Sequence, residues 1–161
     1  MKRKIKIGIM AVIFAMSVFC MNANAQEDCK VPDDVIAISQ ELGERYNICP
    51  ELIQAICYRE SRFVKDAVNG DCIGIMQVSA KWHQERMEKL KATDLTDIRQ
   101  NMNVAVDYLA ELIKDGEDME EALMRYHGER GINQRLKNGE MSSYVESILI
   151  LSEQLEREHG K

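Results

Sequence analysis

Proline is scarce in this 161-residue chain, with Pro32 and Pro50 the only two, and each falls where a helix would start. No low-complexity linker and no internal repeat interrupts it, which argues against a multidomain array or a solenoid. Basic clusters are missing beyond the first few residues, and the formal net charge is -6. That excludes an electrostatic grip on nucleic acid as the organising function. The cysteine spacings do not resemble a zinc site. Nothing in the composition implies a metal or a cofactor.

Lys2, Arg3, Lys4 and Lys6 precede an uncharged run over 7–21, and Ala23-Asn24-Ala25 follows. A positive n-region, an apolar h-region and an A-x-A site together predict a secretory signal peptide over 1–25. Retention of this segment as an anchor is the alternative, although the run is shorter than the ~20 residues of a usual span. Phe19 before Cys20 is too bulky for a lipid-attachment site. Cleavage would leave 26–161 and remove four cations, taking the formal charge to -10. The expected location is the periplasm, the cell envelope or the medium.

Four cysteines remain in that exported part: Cys29, Cys49, Cys57 and Cys72. An even number in an exported domain suggests two disulfides, and three connectivities are open. Cys57–Cys72 is the favoured pair, because a helix end folding back on the next turn would bring them close. Cys29 and Cys49 flank a helix that would hold them apart. Buried reduced thiols are the alternative.

The 3.6-residue period dominates. Val35, Ile36, Ile38, Leu42 and Tyr46 predict a helix over about 33–46. Pro50 suits the first turn of a second helix carrying Leu52, Ile53, Ile56, Cys57 and Glu60. Residues 64–78 break the period with Asn69-Gly70, Gly74 and β-branched residues, and predict turns with a short hairpin. Further helices are expected over about 79–91 (Ser79 as N-cap), 97–115, 117–126, 131–137 and 141–157. The charged stretch 153–161 is expected to be solvated and frayed. The expected division is a lead-in at 26–32, one helical domain at 33–155 and a charged tail at 156–161.

Chemistry points to Glu60. A carboxyl at the end of an apolar helix, beside Ile75 and Met76, would hold its proton near neutral pH because burial disfavours the charged form. Such an acid can protonate a glycosidic oxygen. The alternative is a solvated glutamate between Arg59 and Arg62. Asp66 and Asp71 lie close in sequence but suit turns, so no second carboxylate is placed as a nucleophile. A thiol hydrolase built on Cys57 with His83 or His127 would need a free thiolate.

Glu60-Ser61 followed by Gly74-Ile75-Met76-Gln77 resembles the Glu-Ser and Gly-Leu-Met-Gln signatures of the soluble lytic transglycosylase catalytic domain, related to goose-type lysozymes. Asp97, Asn101-Met102 and Tyr108-Leu109 resemble the helix after its substrate loop. The run Ala122-Leu123-Met124-Arg125-Tyr126-His127-Gly128 resembles its Ala-x-x-x-Tyr-Asn-x-Gly region, and Tyr144-Val145 falls within its last motif. The resemblance covers about 33–155. It implies a mainly α, lysozyme-like fold with a short irregular or β excursion after the catalytic helix. It implies cleavage of the β-1,4 bond between N-acetylmuramic acid and N-acetylglucosamine, with one glutamate as acid and then base and 1,6-anhydro ends as product. Glu60 would be that glutamate, and Ser61, Gly74, Met76, Gln77, Tyr126, His127 and Tyr144 would contact or shape the substrate. His127 stands where the family has asparagine, and Ile75 where it has leucine. A hydrolytic muramidase on the same fold and an inactive glycan-holding scaffold are the rival readings. Partners implied are peptidoglycan strands and, from the small size, a conjugation or secretion apparatus, with the chain acting as a monomer.

Overall fold

The computed structural model describes residues 29–114 and 118–161. The signal segment over 1–25 lies outside the described residues, as do Asp115 and Glu117 at the edges of two expected helices. The described chain is mainly helical, with seven helices and one small sheet. Helix α1 is Asp33–Tyr46 and α2 is Pro50–Ser61. Strands β1 (Val68–Asn69), β2 (Cys72–Ile73) and β3 (Val78–Ser79) follow. Then come α3 (Ala80–Leu90), α4 (Ile98–Lys114), α5 (Met119–Tyr126), α6 (Ile132–Lys137) and α7 (Ser143–Glu158).

Helix α2 is the centre of the molecule. Seven consecutive residues from Glu51 to Cys57 are buried, the pattern of a helix enclosed on every side. It packs most extensively on α7 and also on α1, while α1 and α5 pack on α4. The core joins Ile53 and Ile56 of α2 to Met102, Val106 and Leu109 of α4 and Ile148 of α7, none of them exposed. Pro50 sits in the first turn of α2 as expected. Ser142 caps α7 by accepting from the Val145 amide, and Asp118 caps α5 by accepting from Glu121.

Helix α2 ends abruptly. Arg62 and Phe63 both take left-handed backbone conformations, φ 52° and 65°, and the Arg62 amide closes on the Tyr58 carbonyl. The excursion that follows is an antiparallel meander in the order β1-β2-β3, with Val68 opposite Ile73 and Cys72 opposite Ser79.

Three expectations are corrected. Cys49, Cys57 and Cys72 are free thiols, and no disulfide joins Cys57 to Cys72. Cys57 faces the core from α2 at 0 % exposure, whereas Cys72 lies half-buried on β2. Ser79 occupies the N-cap position of α3 but makes no capping bond. The stretch 153–161 is not frayed. Helix α7 continues to Glu158, and beyond it His159 Nδ1 (2.8 Å) and Lys161 Nζ (2.7 and 2.9 Å) reach the Glu51 carboxylate. Glu51 is 2 % exposed. Its burial opposes ionisation, but hydrogen bonds from Lys161, His159 and Cys49 outweigh that and hold its pKa down at about 2.

Candidate active site

The last turn of α2 carries Glu60, half-buried. Across from it, the first turn of α7 carries Tyr144, 3 % exposed. The two helices run antiparallel, so these turns meet, and the Tyr144 phenol donates a hydrogen bond to Glu60 Oε1. Burial raises the Glu60 pKa above its ordinary value, while the Tyr144 bond and the positive charges of His127 and Arg59 act the other way. Burial wins. The Tyr144 phenol is itself pushed up, first by burial and then by the facing carboxylate, so it remains a donor. Among the described residues the side chains acting on Glu60 are Tyr144, His127 and Arg59, and Asp66 and Asp71 are exposed on the turns around β1 and β2.

His127 follows α5 and lies flat on Tyr144, with ring centroids 3.9 Å apart and planes 3° from parallel. Its Nδ1 is 3.4 Å from Glu129 Oε1. The Arg59 guanidinium sits 5.5 Å from the centre of the Tyr144 ring and donates to Ser147 Oγ on α7. One phenol is thus held by a stacked imidazole, a cation and a carboxyl.

The residues 74–77 form the wall beside the acid. Gly74 takes φ +85° and is buried. A Cβ there would lie 2.1 Å from Asn101 Nδ2 and 2.2 Å from the Leu95 carbonyl. The close approach that requires glycine is therefore made by Asn101 of α4, not by an external group. Asn101 is itself unexposed. Its Nδ2 donates to Ile73 and Leu95, both at 2.8 Å, and its Oδ1 accepts from the Met76 amide at 2.9 Å. Ile75 and Met76 are core residues at 0 % exposure. Gln77 adopts φ 50°, and its Nε2 donates to the Gly74 (2.9 Å) and Ala67 (3.2 Å) carbonyls. Its side chain stabilises the turn while also bordering the neighbouring cleft.

Ser61 Oγ bonds neither Glu60 nor open space. It donates to the Ile75 carbonyl (2.8 Å) and approaches the Cys57 carbonyl (3.3 Å), tying the end of α2 to the wall. Tyr126 does the same from α5, its hydroxyl donating to the Met76 carbonyl at 2.8 Å. Of the eight sequence-predicted residues, Tyr144 meets both Glu60 and His127, and Ser61, Gly74, Met76, Gln77 and Tyr126 build the wall.

A cleft of about 540 Å³ runs along that wall, bordered by Gln77, Tyr126 and His127 and continuing to Trp82, Arg86 and Tyr108. Its edge at His127 is one ring away from the Tyr144–Glu60 pair. Sequence reasoning passed over Trp82 and Arg86. A tryptophan beside basic residues on an otherwise polar helix was the available signal. Cys57 is no nucleophile here, since burial drives its thiol up, the reverse of what a reactive thiolate needs. Among the described residues, no group of three or more His, Cys, Asp or Glu side chains is placed to hold a metal ion.

A protonated carboxyl with one acceptor oxygen clamped by a phenol can deliver its proton from the other oxygen and remain stabilised as the resulting carboxylate. A family model described as "Transglycosylase SLT domain" matches residues 37–146, a span that includes both Glu60 and Tyr144. No curated protein matches the chain.

Proposed function

The chain belongs to the transglycosylase SLT domain family of peptidoglycan lytic transglycosylases, and from that premise we propose that it cuts the β-1,4 bond between N-acetylmuramic acid and N-acetylglucosamine. The observation that carries the reading is the Glu60–Tyr144 pair.

Glu60 enters the reaction protonated, favoured by its burial. It passes its proton to the glycosidic oxygen as the bond from that oxygen to C1 breaks and positive charge develops on the sugar. The Glu60 carboxylate left behind keeps the Tyr144 hydrogen bond, which is stronger to the ion than to the acid. That same carboxylate then accepts the proton of the muramic C6 hydroxyl as its oxygen attacks C1. The product is a 1,6-anhydro end, no water is consumed, and Glu60 regains its proton. One carboxyl suffices for both steps, which accords with Tyr144, His127 and Arg59 being the side chains that act on it among the described residues. We read the protein as exported, on the strength of the N-terminal charge and apolar pattern, and as opening the wall locally for a conjugation or secretion machine, a role that the family resemblance implies.

Mass spectrometry of purified peptidoglycan digested by the wild type and by Glu60→Gln tests this. Anhydro-muramic ends from the wild type and none from the variant are expected. Ends heavier by one water would assign a hydrolytic muramidase instead. Undiminished cleavage by Glu60→Gln would remove the acid from the mechanism.

A further inference from the structure

Trp82 is the single tryptophan of the chain, and it is 76 % exposed. Large aromatic side chains on a surface without a partner lose hydrophobic stabilisation. His83 leaves helical geometry inside α3 (φ -121°, ψ 20°), and its ring instead packs against Tyr108 on α4, 4.6 Å between centroids. Tyr108 in turn lies 5.8 Å from Tyr126. The rings therefore continue from His83 through Tyr108 to Tyr126, next in sequence to the His127 that stacks on Tyr144. Trp82 stands at the far end of this series, bordering both the cleft that reaches His127 and a second depression shared with Arg86, Lys89 and Glu111.

We propose that Trp82 is a platform for a sugar ring of the glycan strand, at a subsite remote from Glu60. The inference rests on reading the cleft as a peptidoglycan site and assigns an additional contact to it. A pyranose presents an apolar face of C–H groups with hydroxyls around its edge, which matches an open indole face bordered by hydrogen-bonding side chains. Arg86 supplies part of that border. It is fixed by ion pairs to Asp107 and Glu111, and so presents a rigid edge. The Lys81 ammonium lies 5.2 Å from the indole; it is carried by a long, flexible chain that a bound sugar can displace. A strand seated on Trp82 and running along the cleft extends to His127, which stacks on the Tyr144 bonded to Glu60, so the subsite favours long glycans over short ones.

Because Trp82 is the sole tryptophan, its fluorescence reports this position alone. The Glu60→Gln protein is titrated with chitin oligosaccharides from the disaccharide to the hexasaccharide. The expected result is a saturable emission shift with the hexasaccharide and little response to the disaccharide. Trp82→Ala weakens hexasaccharide binding, measured by calorimetry, by about tenfold, equivalent to about 1.4 kcal/mol, and Trp82→Phe restores part of it. Hexasaccharide binding without a change in emission, equal affinity in Trp82→Ala, or no binding of any oligosaccharide would overturn the proposal. Wild-type cleavage of peptidoglycan with a silent Trp82 refutes the subsite and leaves the enzyme reading intact. A responsive Trp82 in a protein that cleaves nothing does the reverse.

Discussion

Replacing Tyr144 by phenylalanine removes one hydroxyl and keeps the ring that stacks on His127. That hydroxyl donates to Glu60 from a residue only 3 % exposed, so solvent is poorly placed to substitute for it. A hydrogen bond to an ionised group contributes about 1.5–3 kcal/mol. The bond favours the carboxylate over the acid, so its loss makes Glu60 harder to ionise. Its ionisation therefore moves to higher pH. The first step needs Glu60 protonated, and activity therefore falls as pH rises through its pKa. In Tyr144→Phe this alkaline limb moves to higher pH. The plateau falls at the same time, because the carboxylate that forms as the proton departs has lost its donor. The same 1.5–3 kcal/mol lowers kcat by roughly tenfold to a hundredfold. Initial rates of fragment release from purified peptidoglycan across pH measure both effects, with thermal unfolding as a control for the fold. A limb that stays in place, or moves to lower pH, refutes the argument that the phenol stabilises the charged form.

Asn101→Ala removes three hydrogen bonds of 2.8–2.9 Å, two of them buried; at about 1 kcal/mol each it should destabilise by about 3 kcal/mol in urea unfolding, and a loss under about 1 kcal/mol would show that the wall stands without it. Glu51 titrates at about 2, below its unfolded value near 4.3. Its stabilisation is therefore complete above the unfolded pKa and is lost as pH falls through about 2. Allowing for the solvent-exposed Lys161 partner, it is on the order of 1–2 kcal/mol. Urea unfolding between pH 5 and about 2 should show a steeper decline in the wild type than in Glu51→Gln, and parallel curves would contradict the assignment.

The helices were legible because apolar residues recur at helical spacing and the breakers coincide with ends: Pro50 opens α2, and Asp97 accepts from the Gln100 amide ahead of α4. Glu60 and Tyr144 were legible as chemistry, since both lie in motifs that resemble one family. Strands of two residues leave no period to read, so a three-stranded meander registered as turns with a hairpin. Cysteine parity misled because number carries no direction, and Cys57 points inward from a helix buried on all sides. The tail misled because a charged stretch looks solvated until its partner, a buried carboxylate more than a hundred residues earlier, is known. Gly74 and Ser61 were expected to contact or shape the substrate; in the fold Gly74 packs closely against Asn101 and Ser61 Oγ donates to the Ile75 carbonyl, contacts that only the folded chain brings together.

Helix α2 presents a carboxyl at each end, Glu51 to His159 and Lys161 just beyond α7, and Glu60 to Tyr144 in the first turn of α7. The two take up protons in different pH ranges, Glu60 having its pKa raised and Glu51 lowered. Mild acidification thus loads the catalyst well before it loosens the frame, and a single rigid rod separates the group that must trade protons from the group that must never take one.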